Sequence, residues 1–351
     1  MKVDYSIVIP TYNRGAQLLL TLAAFELQTF PRQRFELIIV DDGSTDDTCR
    51  LLQGYNAPYA LQLIAEKRRS GPARARNRGI KAARGSRIIF CDADYLVRPD
   101  FIEIHHRCHV RKPKTAFSGV PYCYERVYTR YFPDFSPWEK KQMQRVLERT
   151  GLWQERFLAD NKAIDIFTPA ELRRDFSIVN GVRGGNLLPA ALKKEFLRTD
   201  VAPWLLFITR CVSVEKEYLE QAGGFNERLV RGAGEDWELG YRLHRLGVAF
   251  RSIPRVTGFH QEHPHSYRTP DRNFIPFYCV LQEEFGCTDP ELLLLSLWES
   301  SDDLWRELPA YKNALRLLQK KEFRSPRVKD VAALLLKACR RLAGEPAERN
   351  G

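Results

Sequence analysis

The sequence lacks the features that mark a secreted, disulfide-bonded or membrane-spanning protein. Its eight cysteines are scattered and form no C-x-x-C pair. Neither a disulfide framework nor a thiolate zinc site is therefore indicated, and we expect reduced, mostly buried thiols. The opening apolar run ends at Pro10, far too early for a signal peptide, and the apolar run 292–298 is too short to span a bilayer. These absences predict a cytoplasmic protein.

The sequence also lacks any recognised nucleic-acid-binding module, although it is strongly basic. Lysine and arginine total 55 against 44 acidic residues, a formal charge of +11. Such an excess suggests an anionic partner: nucleotide phosphates, an anionic membrane face or a nucleic acid. Because no binding module accompanies the charge, we expect no nucleic-acid partner.

Strand-like and helix-like segments alternate along the first 110 residues. The predicted strands, all continuous apolar runs, are 5–10, 35–42, 60–66 and 87–94. The predicted helices are 15–28, a segment capped by residues 44–46, 71–83 and a segment starting at Pro99. This alternation predicts an α/β fold with a mostly parallel sheet covered on both faces. Ligands bind such sheets at the carboxyl ends of the strands.

The rest of the chain is less regular. Residues 120–185 are rich in aromatic side chains and lead into VNGVRGGNLLP, whose glycines predict a close backbone approach or a mobile loop. Helices are predicted from Pro137 and over 236–246, and the chain beyond about residue 268 is helical in pattern. A basic amphipathic helix over 327–344 could lie on an anionic membrane surface, although packing against the catalytic domain is the preferred interpretation.

Two carboxylates end the fourth predicted strand. Asp92 and Asp94 flank a small Ala93 in IIFCDAD. An acid-x-acid pair at a strand end supplies oxygen ligands for a hard divalent cation, with diphosphate oxygens of a substrate completing the shell. Three of the seven histidines lie within six residues of GFHQEHPHSY. One of them, His260, follows a strand-like segment and could reach the same edge as an imidazole ligand.

The first two strands also end in polar residues. Asp41 could accept hydrogen bonds from a uracil ring or a ribose, and Pro10 and Thr11 could present backbone groups to a base. The alternative is that these residues only cap a helix and end a strand.

Two helix starts carry charged residues. Arg74, Arg76 and Arg78 stand near the start of the 71–83 helix and could bind phosphate, or form a solvated basic face. Glu235 and Asp236 begin the 236–246 helix, where a carboxylate could act as a general base or simply favour the helix dipole.

Taken together, these segments resemble the family 2 glycosyltransferases, which have the GT-A fold. The matching segments are SIVIPTYNR, ELIIVDDGSTDDT, GPARARNRGI, IIFCDADYLVRPDF, AGGFNERLVRGAGEDWELGYRLHRLG and GFHQEH. They follow the family order and cover most of 1–118 and 210–265. The later segments are particularly similar to bacterial chondroitin-polymerase-type domains and to the galactosyltransferase C-terminal module.

The resemblance implies a role for each matching residue. Asp41 would contact the uracil or ribose, with Pro10, Thr11 and Asn13 lining the base pocket and Arg76 on the donor side. Asp92 would face the ribose, and Asp94 and His260 would bind the metal. Asp236 would be the catalytic base, and Glu235 would support the acceptor site. Tyr95 stands where many family members carry a further acid.

The implied activity is a metal-dependent, inverting sugar transfer. Mn²⁺ or Mg²⁺ would bridge the diphosphate of a sugar nucleotide, expected to be a UDP-sugar, to the protein. The acceptor would be a saccharide, a lipid-linked sugar or a protein, in polysaccharide or glycoconjugate synthesis. One alternative is a catalytically silent sugar-nucleotide-binding protein. The other is a nucleotidyltransferase, which should carry a glycine- and lysine-rich loop where this chain has PTYNR.

The motif positions divide the chain into two predicted units. Residues 1–268 would form the GT-A domain and 269–351 a helical appendage. Within the domain, 1–118 would bind the nucleotide, 119–209 would be a variable insertion on the acceptor side and 210–268 would supply the acceptor and catalytic half. Peripheral contact with the inner membrane face is a minority alternative for the appendage.

Overall fold

The computed structural model describes residues 2–159, 161–229, 234–264, 277–286, 289–297 and 304–319. The strands within these ranges are short to medium in length. They are β1 (Tyr5–Thr11), β2 (Phe35–Asp41), β3 (Ala60–Ala65), β4 (Arg87–Cys91), β5 (Tyr95–Val97), β6 (Thr115–Ser118), β7 (Glu125–Val127), β8 (Arg130–Tyr131), β9 (Ile164–Asp165), β10 (Arg183–Asn186), β11 (Cys211–Glu215), β12 (Ala249–Ser252) and β13 (Gly258–Gln261).

The helices fall between these strands and after the last of them. They are α1 (Gly15–Glu26), α2 (Thr48–Gln53), α3 (Pro72–Ala82), α4 (Phe101–Arg111), α5 (Pro137–Arg149), α6 (Arg156–Ala159), α7 (Pro169–Arg174), α8 (Ala190–Leu197), α9 (Lys216–Gln221), α10 (Glu235–Arg245), α11 (Phe277–Phe285), α12 (Pro290–Leu293) and α13 (Leu304–Gln319).

In the part of the chain that the structure describes, the main sheet has seven strands in the order β12-β6-β11-β4-β1-β2-β3. Every neighbouring pair is parallel except the two pairs that β11 makes with β4 and β6. The central strands β1 and β2 are buried along almost their whole length because helices cover both faces. The predicted mostly parallel α/β sheet, its first four strands and the helices predicted before residue 247 are confirmed.

The chain order around β1 determines where a ligand can bind. From β1 the chain moves outward to β2 and β3, and it then returns to place β4 on the other side of β1. The carboxyl ends of β1 and β4 therefore flank a crevice at the point where the strand order reverses. Such crevices are the usual ligand sites of open α/β sheets.

A smaller sheet lies next to this crevice and has the order β10-β7-β13-β5. Its strand β5 begins at Tyr95, directly after the DAD turn, and pairs antiparallel with β13 so that His260 lies opposite Tyr95. Its other two strands, β7 and β10, come from the predicted insertion. The second sheet thus joins the DAD turn, the histidine-rich segment and the insertion.

The described helices after residue 276 pack on the rest of the protein. On α13, the Lys312 ammonium donates to the backbone carbonyl of Glu195 (2.8 Å), at the end of α8, and the Arg316 guanidinium pairs with Glu195 (2.7 Å) and Asp200 (2.8 Å). No helix among the described residues combines the length and apolarity needed to cross a bilayer. The predicted helix 327–344 lies outside the described residues, and the division at residue 268 stays a prediction.

The cysteines that the structure describes are free thiols. Cys91, Cys123 and Cys211 are buried, while Cys49, Cys108 and Cys279 are partly exposed. The expectation of reduced cysteines is confirmed for these six.

Candidate active site

The DAD turn directs two carboxylates into the crevice. Strand β4 ends at Cys91, three residues earlier than predicted, because the chain turns and the Tyr95 amide donates to the Asp92 carbonyl (3.1 Å). The backbone carbonyl of Asp94 then accepts a hydrogen bond from the backbone amide of Gln261 (2.8 Å). This bond extends the β5–β13 pairing by one residue and holds the HQEH segment against the turn.

Asp94, His260 and His263 form a cluster of potential metal ligands. Their donor atoms all lie within 4.8 Å of one another. His260 Nε2 lies 3.8 Å from one carboxylate oxygen of Asp94, and His263 Nε2 lies 3.4 Å from the other. All three residues are buried, with 9% or less of their surface exposed. The structure therefore brings Asp94 and His260 together as predicted and adds His263.

Hydrogen bonds on the far side of each ring set which nitrogen faces Asp94. His263 Nδ1 lies 3.2 Å from the Pro264 carbonyl oxygen, which can only accept, so Nδ1 carries the proton. His260 Nδ1 lies 3.3 Å from Glu262 Oε1, also an acceptor. In the neutral rings, both Nε2 lone pairs are then directed toward Asp94. This is the arrangement in which histidine binds a metal.

The geometry of this cluster fits a divalent cation. When two donor atoms bind one cation at about 2.1 Å each and at a right angle, the two atoms lie roughly 3 Å from each other. Each Nε2 lies 3.4 or 3.8 Å from an Asp94 oxygen, and all the donor atoms lie within 4.8 Å of one another, so the side chains would move closer together on binding a cation. One carboxylate and two imidazoles suit a metal of intermediate hardness, with the remaining positions open to oxygen ligands.

Burial and nearby charges favour a neutral imidazole at His260 and an ionised carboxylate at Asp94. Burial lowers the pKa of His260 and Arg210 lowers it further, which favours the neutral imidazole. Burial alone would raise the pKa of Asp94, but positive charge from the two imidazoles, whenever they carry a second proton, and from Arg14 lowers it further than burial raises it. Asp94 is therefore a carboxylate at neutral pH.

Two arginines bind the other carboxylate of the turn. Arg76 Nη2 lies 3.7 Å from Asp92, and Arg210 Nε lies 3.6 Å from it. Arg76 also makes a buried ion pair with Glu235 (2.8 Å). Arg76 thus connects the DAD turn to the start of α10, where the predicted catalytic base lies.

The three arginines of α3 do not converge on one ligand. Arg76 is buried, whereas Arg74 and Arg78 are exposed, and Arg78 pairs with Glu66 (2.9 Å). Residues two apart on a helix point to nearly opposite faces, which explains the difference. The exposure of Arg74 and Arg78 favours the alternative of a solvated basic face for these two, and donor binding by Arg76 stays a prediction.

Asp236 is held at the first turn of α10. Its carboxylate accepts the backbone amides of Trp237 (2.9 Å) and Thr209 (3.4 Å). Burial raises the pKa of Asp236 to about 7, and the negative charge of Glu235 contributes to the rise. A carboxylate with this pKa can accept a proton near neutral pH.

The predicted base-pocket residues lie at the ends of β1 and β2. In the parallel pairing of β1 with β2, Pro10 lies opposite Val40 and Thr11 lies opposite Asp41. Asp41 is fully buried, and its carboxylate accepts bonds from Ser44 and the Cys49 thiol.

Asn13 holds the same turn from the other side of the crevice. Its Oδ1 accepts hydrogen bonds from the backbone amides of Thr45 (2.8 Å) and Asp46 (3.3 Å), and its backbone amide donates to the Ser44 hydroxyl (2.9 Å). Asn13 adopts a positive φ of 52° to do so, a conformation that asparagine tolerates better than most residues. Asp41 and Asn13 therefore organise the turn that borders the predicted base pocket.

Sequence reasoning did not identify every residue of this site. His263 was one of three clustered histidines, but spacing alone did not indicate which rings face the turn. Arg14 and Glu262 lie within the segments SIVIPTYNR and GFHQEH, but the sequence assigns them no role, and Arg210 lies outside every matching segment. Tertiary packing brings all three to the cluster. The one signal for Glu262 is its spacing: it stands two residues after His260, and alternate residues of a strand share a face.

Comparison with known proteins agrees with this arrangement. The profile described as "Glycosyl transferase family 2" matches residues 6–166. An uncharacterized glycosyltransferase of Bacillus subtilis (strain 168), YfnE, is 30% identical over 290 residues, which are 78% of this chain and 69% of that protein. The chain belongs to glycosyl transferase family 2.

Other curated relatives are much longer than the region that matches this chain. Chondroitin synthase of Escherichia coli is 28% identical over 269 residues, 76% of this chain but 36% of that protein. This match confirms the resemblance to chondroitin-polymerase-type domains. The chain spans 26% to 63% of the length of seven curated relatives other than YfnE.

The fold is also found in a solved structure. The crystal structure of S. aureus TarS aligns with a TM-score of 0.53 at 16% identity, covering 98% of this chain and 53% of that one. The predicted GT-A architecture of this family 2 glycosyltransferase is thereby confirmed.

Proposed function

We propose that this family 2 glycosyltransferase moves a sugar from a nucleoside diphosphate sugar, a UDP-sugar, to an acceptor hydroxyl with inversion at the anomeric carbon. The observation that carries the proposal is the cluster of Asp94, His260 and His263, in which both Nε2 atoms face the carboxylate. The Arg76 bridge ties this edge of the sheet to Glu235, the neighbour of Asp236. A metal-binding donor site and a candidate base are thus parts of one connected site.

The nucleoside is assigned to the ends of β1 and β2. Thr11 Oγ1 is buried and makes no hydrogen bond within the described residues, so a polar base lying there could satisfy it. Pro10, Asn13 and Asp41 would complete the pocket and its supporting turn, and Asp92 would face the ribose. The relatives of this chain include a chondroitin synthase, which supports a saccharide acceptor and a role in polysaccharide or glycoconjugate synthesis.

Manganese is the metal that we assign to the cluster. Mg²⁺ prefers an all-oxygen shell, and two imidazoles therefore weigh against it. Softer metals are also disfavoured, because the diphosphate of a donor supplies oxygen ligands. When bound, the cation would neutralise the charge that develops on the leaving diphosphate. Arg14 and Arg210 lie beside the cluster and add positive charge for the same anion.

Asp236 supplies the proton acceptor in this mechanism. The acceptor hydroxyl gives its proton to the Asp236 carboxylate as its oxygen bonds to the anomeric carbon. The bond from that carbon to the diphosphate oxygen breaks on the opposite face, and the configuration inverts. This single displacement requires no covalent nucleophile.

The dependence of turnover on pH should report the proton affinity of Asp236. A general base acts in its deprotonated form, so turnover should fall as the pH drops below about 7, the raised pKa of this carboxyl. The substitution Glu235→Gln removes the adjacent negative charge and should move this acidic limb to lower pH. We would measure kcat against pH for both proteins. If the acidic limb of the kcat profile lay at the same pH in Glu235→Gln as in wild type, the assignment of Asp236 would be contradicted.

A donor screen tests the proposed reaction as a whole. Release of nucleoside diphosphate would be followed for a panel of UDP-, GDP- and dTDP-linked sugars, and release of CMP for a CMP-linked sugar, with Mn²⁺, with Mg²⁺ and with a chelator. We expect release from a UDP-sugar with Mn²⁺ and none with the chelator. Release that the chelator does not affect would exclude metal dependence, and donor binding without any release would favour the silent sugar-nucleotide-binding alternative.

A further inference from the structure

We infer that Glu262, held by Arg126, is a positioning residue that orients His260 and sets the affinity of the cluster for its cation. The inference rests on the proposed metal site and extends it to residues that do not touch the metal. It also gives a role to the glycine pair Gly184-Gly185.

Strand geometry places Glu262 behind His260. Side chains alternate along an extended segment, so His260 and Glu262 share a face and Gln261 points the other way. Gln261 is anchored there by bonds from its amide to the Gln17 carbonyl (3.0 Å) and the Thr21 hydroxyl (2.9 Å). With Gln261 held in this way, Glu262 Oε1 stays 3.3 Å from His260 Nδ1.

Arg126 holds Glu262 in turn. This arginine is only 7% exposed, and its Nη1 lies 3.9 Å from Glu262 Oε2. Its other nitrogens donate to the backbone carbonyls of Gly184 (2.9 Å) and Gly185 (3.3 Å) on β10. The guanidinium therefore has a fixed position, and it connects the edge strand of the insertion to the metal cluster.

The glycines allow this contact because β10 lies very close to its neighbour. A Cβ atom at Gly184 would lie 3.0 Å from the ring of Tyr128, and Gly185 has a φ of +74°. The close backbone approach predicted for VNGVRGGNLLP is therefore present, and residues 183–186 form a strand rather than an irregular loop.

The physical consequence concerns the His260 ring. A histidine ligand can rotate about its last torsion and exchange tautomers unless the second ring nitrogen has a partner. Glu262 supplies that partner and makes the metal-facing nitrogen more basic. Loss of such a partner typically weakens metal binding 10- to 100-fold.

Direct measurement of Mn²⁺ binding tests the inference without any need for activity. Titration followed by electron paramagnetic resonance of free Mn²⁺ should show a 10- to 100-fold higher Kd for Glu262→Ala than for wild type. Glu262→Gln should lose less, because its amide oxygen can still accept the Nδ1 proton. Arg126→Met should show an intermediate loss.

A control and a reference variant separate the possible outcomes. Glu125→Gln, on the same strand as Arg126 but paired with Arg183, should bind Mn²⁺ as wild type does. Wild-type affinity in Glu262→Ala, alongside lost binding in His260→Ala, would overturn only the positioning role. Wild-type affinity in His260→Ala would overturn the proposed metal site itself. If Glu262→Ala fails to fold in thermal melts, Glu262→Gln and Arg126→Met decide, and wild-type affinity in both overturns the inference.

Discussion

Asp236→Asn should lower turnover by a factor of roughly 10² or more while donor binding stays within a few-fold of wild type. The substitution keeps the size and shape of the side chain and removes its ability to accept a proton. The asparagine oxygen can still accept the Trp237 amide, so the first turn of α10 should keep its structure. Turnover and donor Kd would be measured on the same preparation.

A second acid of the same helix provides the control for this substitution. Glu238 is buried two residues further on and pairs with Arg242 rather than with the site. Glu238→Gln should lower the melting temperature yet leave the turnover of the folded protein near that of wild type. If Asp236→Asn instead lost donor binding and turnover equally, Asp236 would be a structural residue of the helix start.

Removal of any ligand of the cluster should abolish most of the activity. Asp94→Ala, His260→Ala and His263→Ala each take away one of the three proposed protein ligands, and the remaining two should hold the cation weakly. We expect each variant to lose most of its turnover and to bind UDP more weakly than wild type when Mn²⁺ is present. Without Mn²⁺, the difference in UDP binding should largely disappear.

A histidine outside the cluster controls for the loss of an imidazole. His244 lies near the end of α10 and contacts Phe250 rather than the DAD turn. His244→Ala should keep wild-type metal dependence. Unchanged turnover and metal dependence in His260→Ala would remove His260 from the site, and the same result for His263→Ala would leave the pair predicted from the sequence.

The parts of the site that the sequence predicted are those controlled by local pattern. Asp94 comes three residues after the strongly apolar strand β4, and His260 lies in the strand-like segment that forms β13, so the order of residues alone places both at a sheet edge. The helix start at Glu235 and Asp236 was visible for the same reason. These features depend on a few neighbouring residues.

The parts that were missed depend on packing between distant segments. Arg76 is named from the sequence, but the three arginines of α3 look alike there, and only packing against α10 shows that Arg76 is the buried one. Strands β7 and β10 have three and four residues, and the glycines of β10 hide any periodic pattern. The contact of Arg126 with Glu262 joins residues 136 positions apart by their numbering, and no local pattern records it.

Anomalous diffraction from a crystal grown with Mn²⁺ and UDP tests the central claim most directly. Data collected at the manganese absorption edge should show a peak bonded to an Asp94 oxygen, His260 Nε2 and His263 Nε2, with diphosphate oxygens completing its shell. A manganese peak bonded to Asp92 and Asp94 without either imidazole, or no peak at the crevice while UDP is bound, would contradict the account.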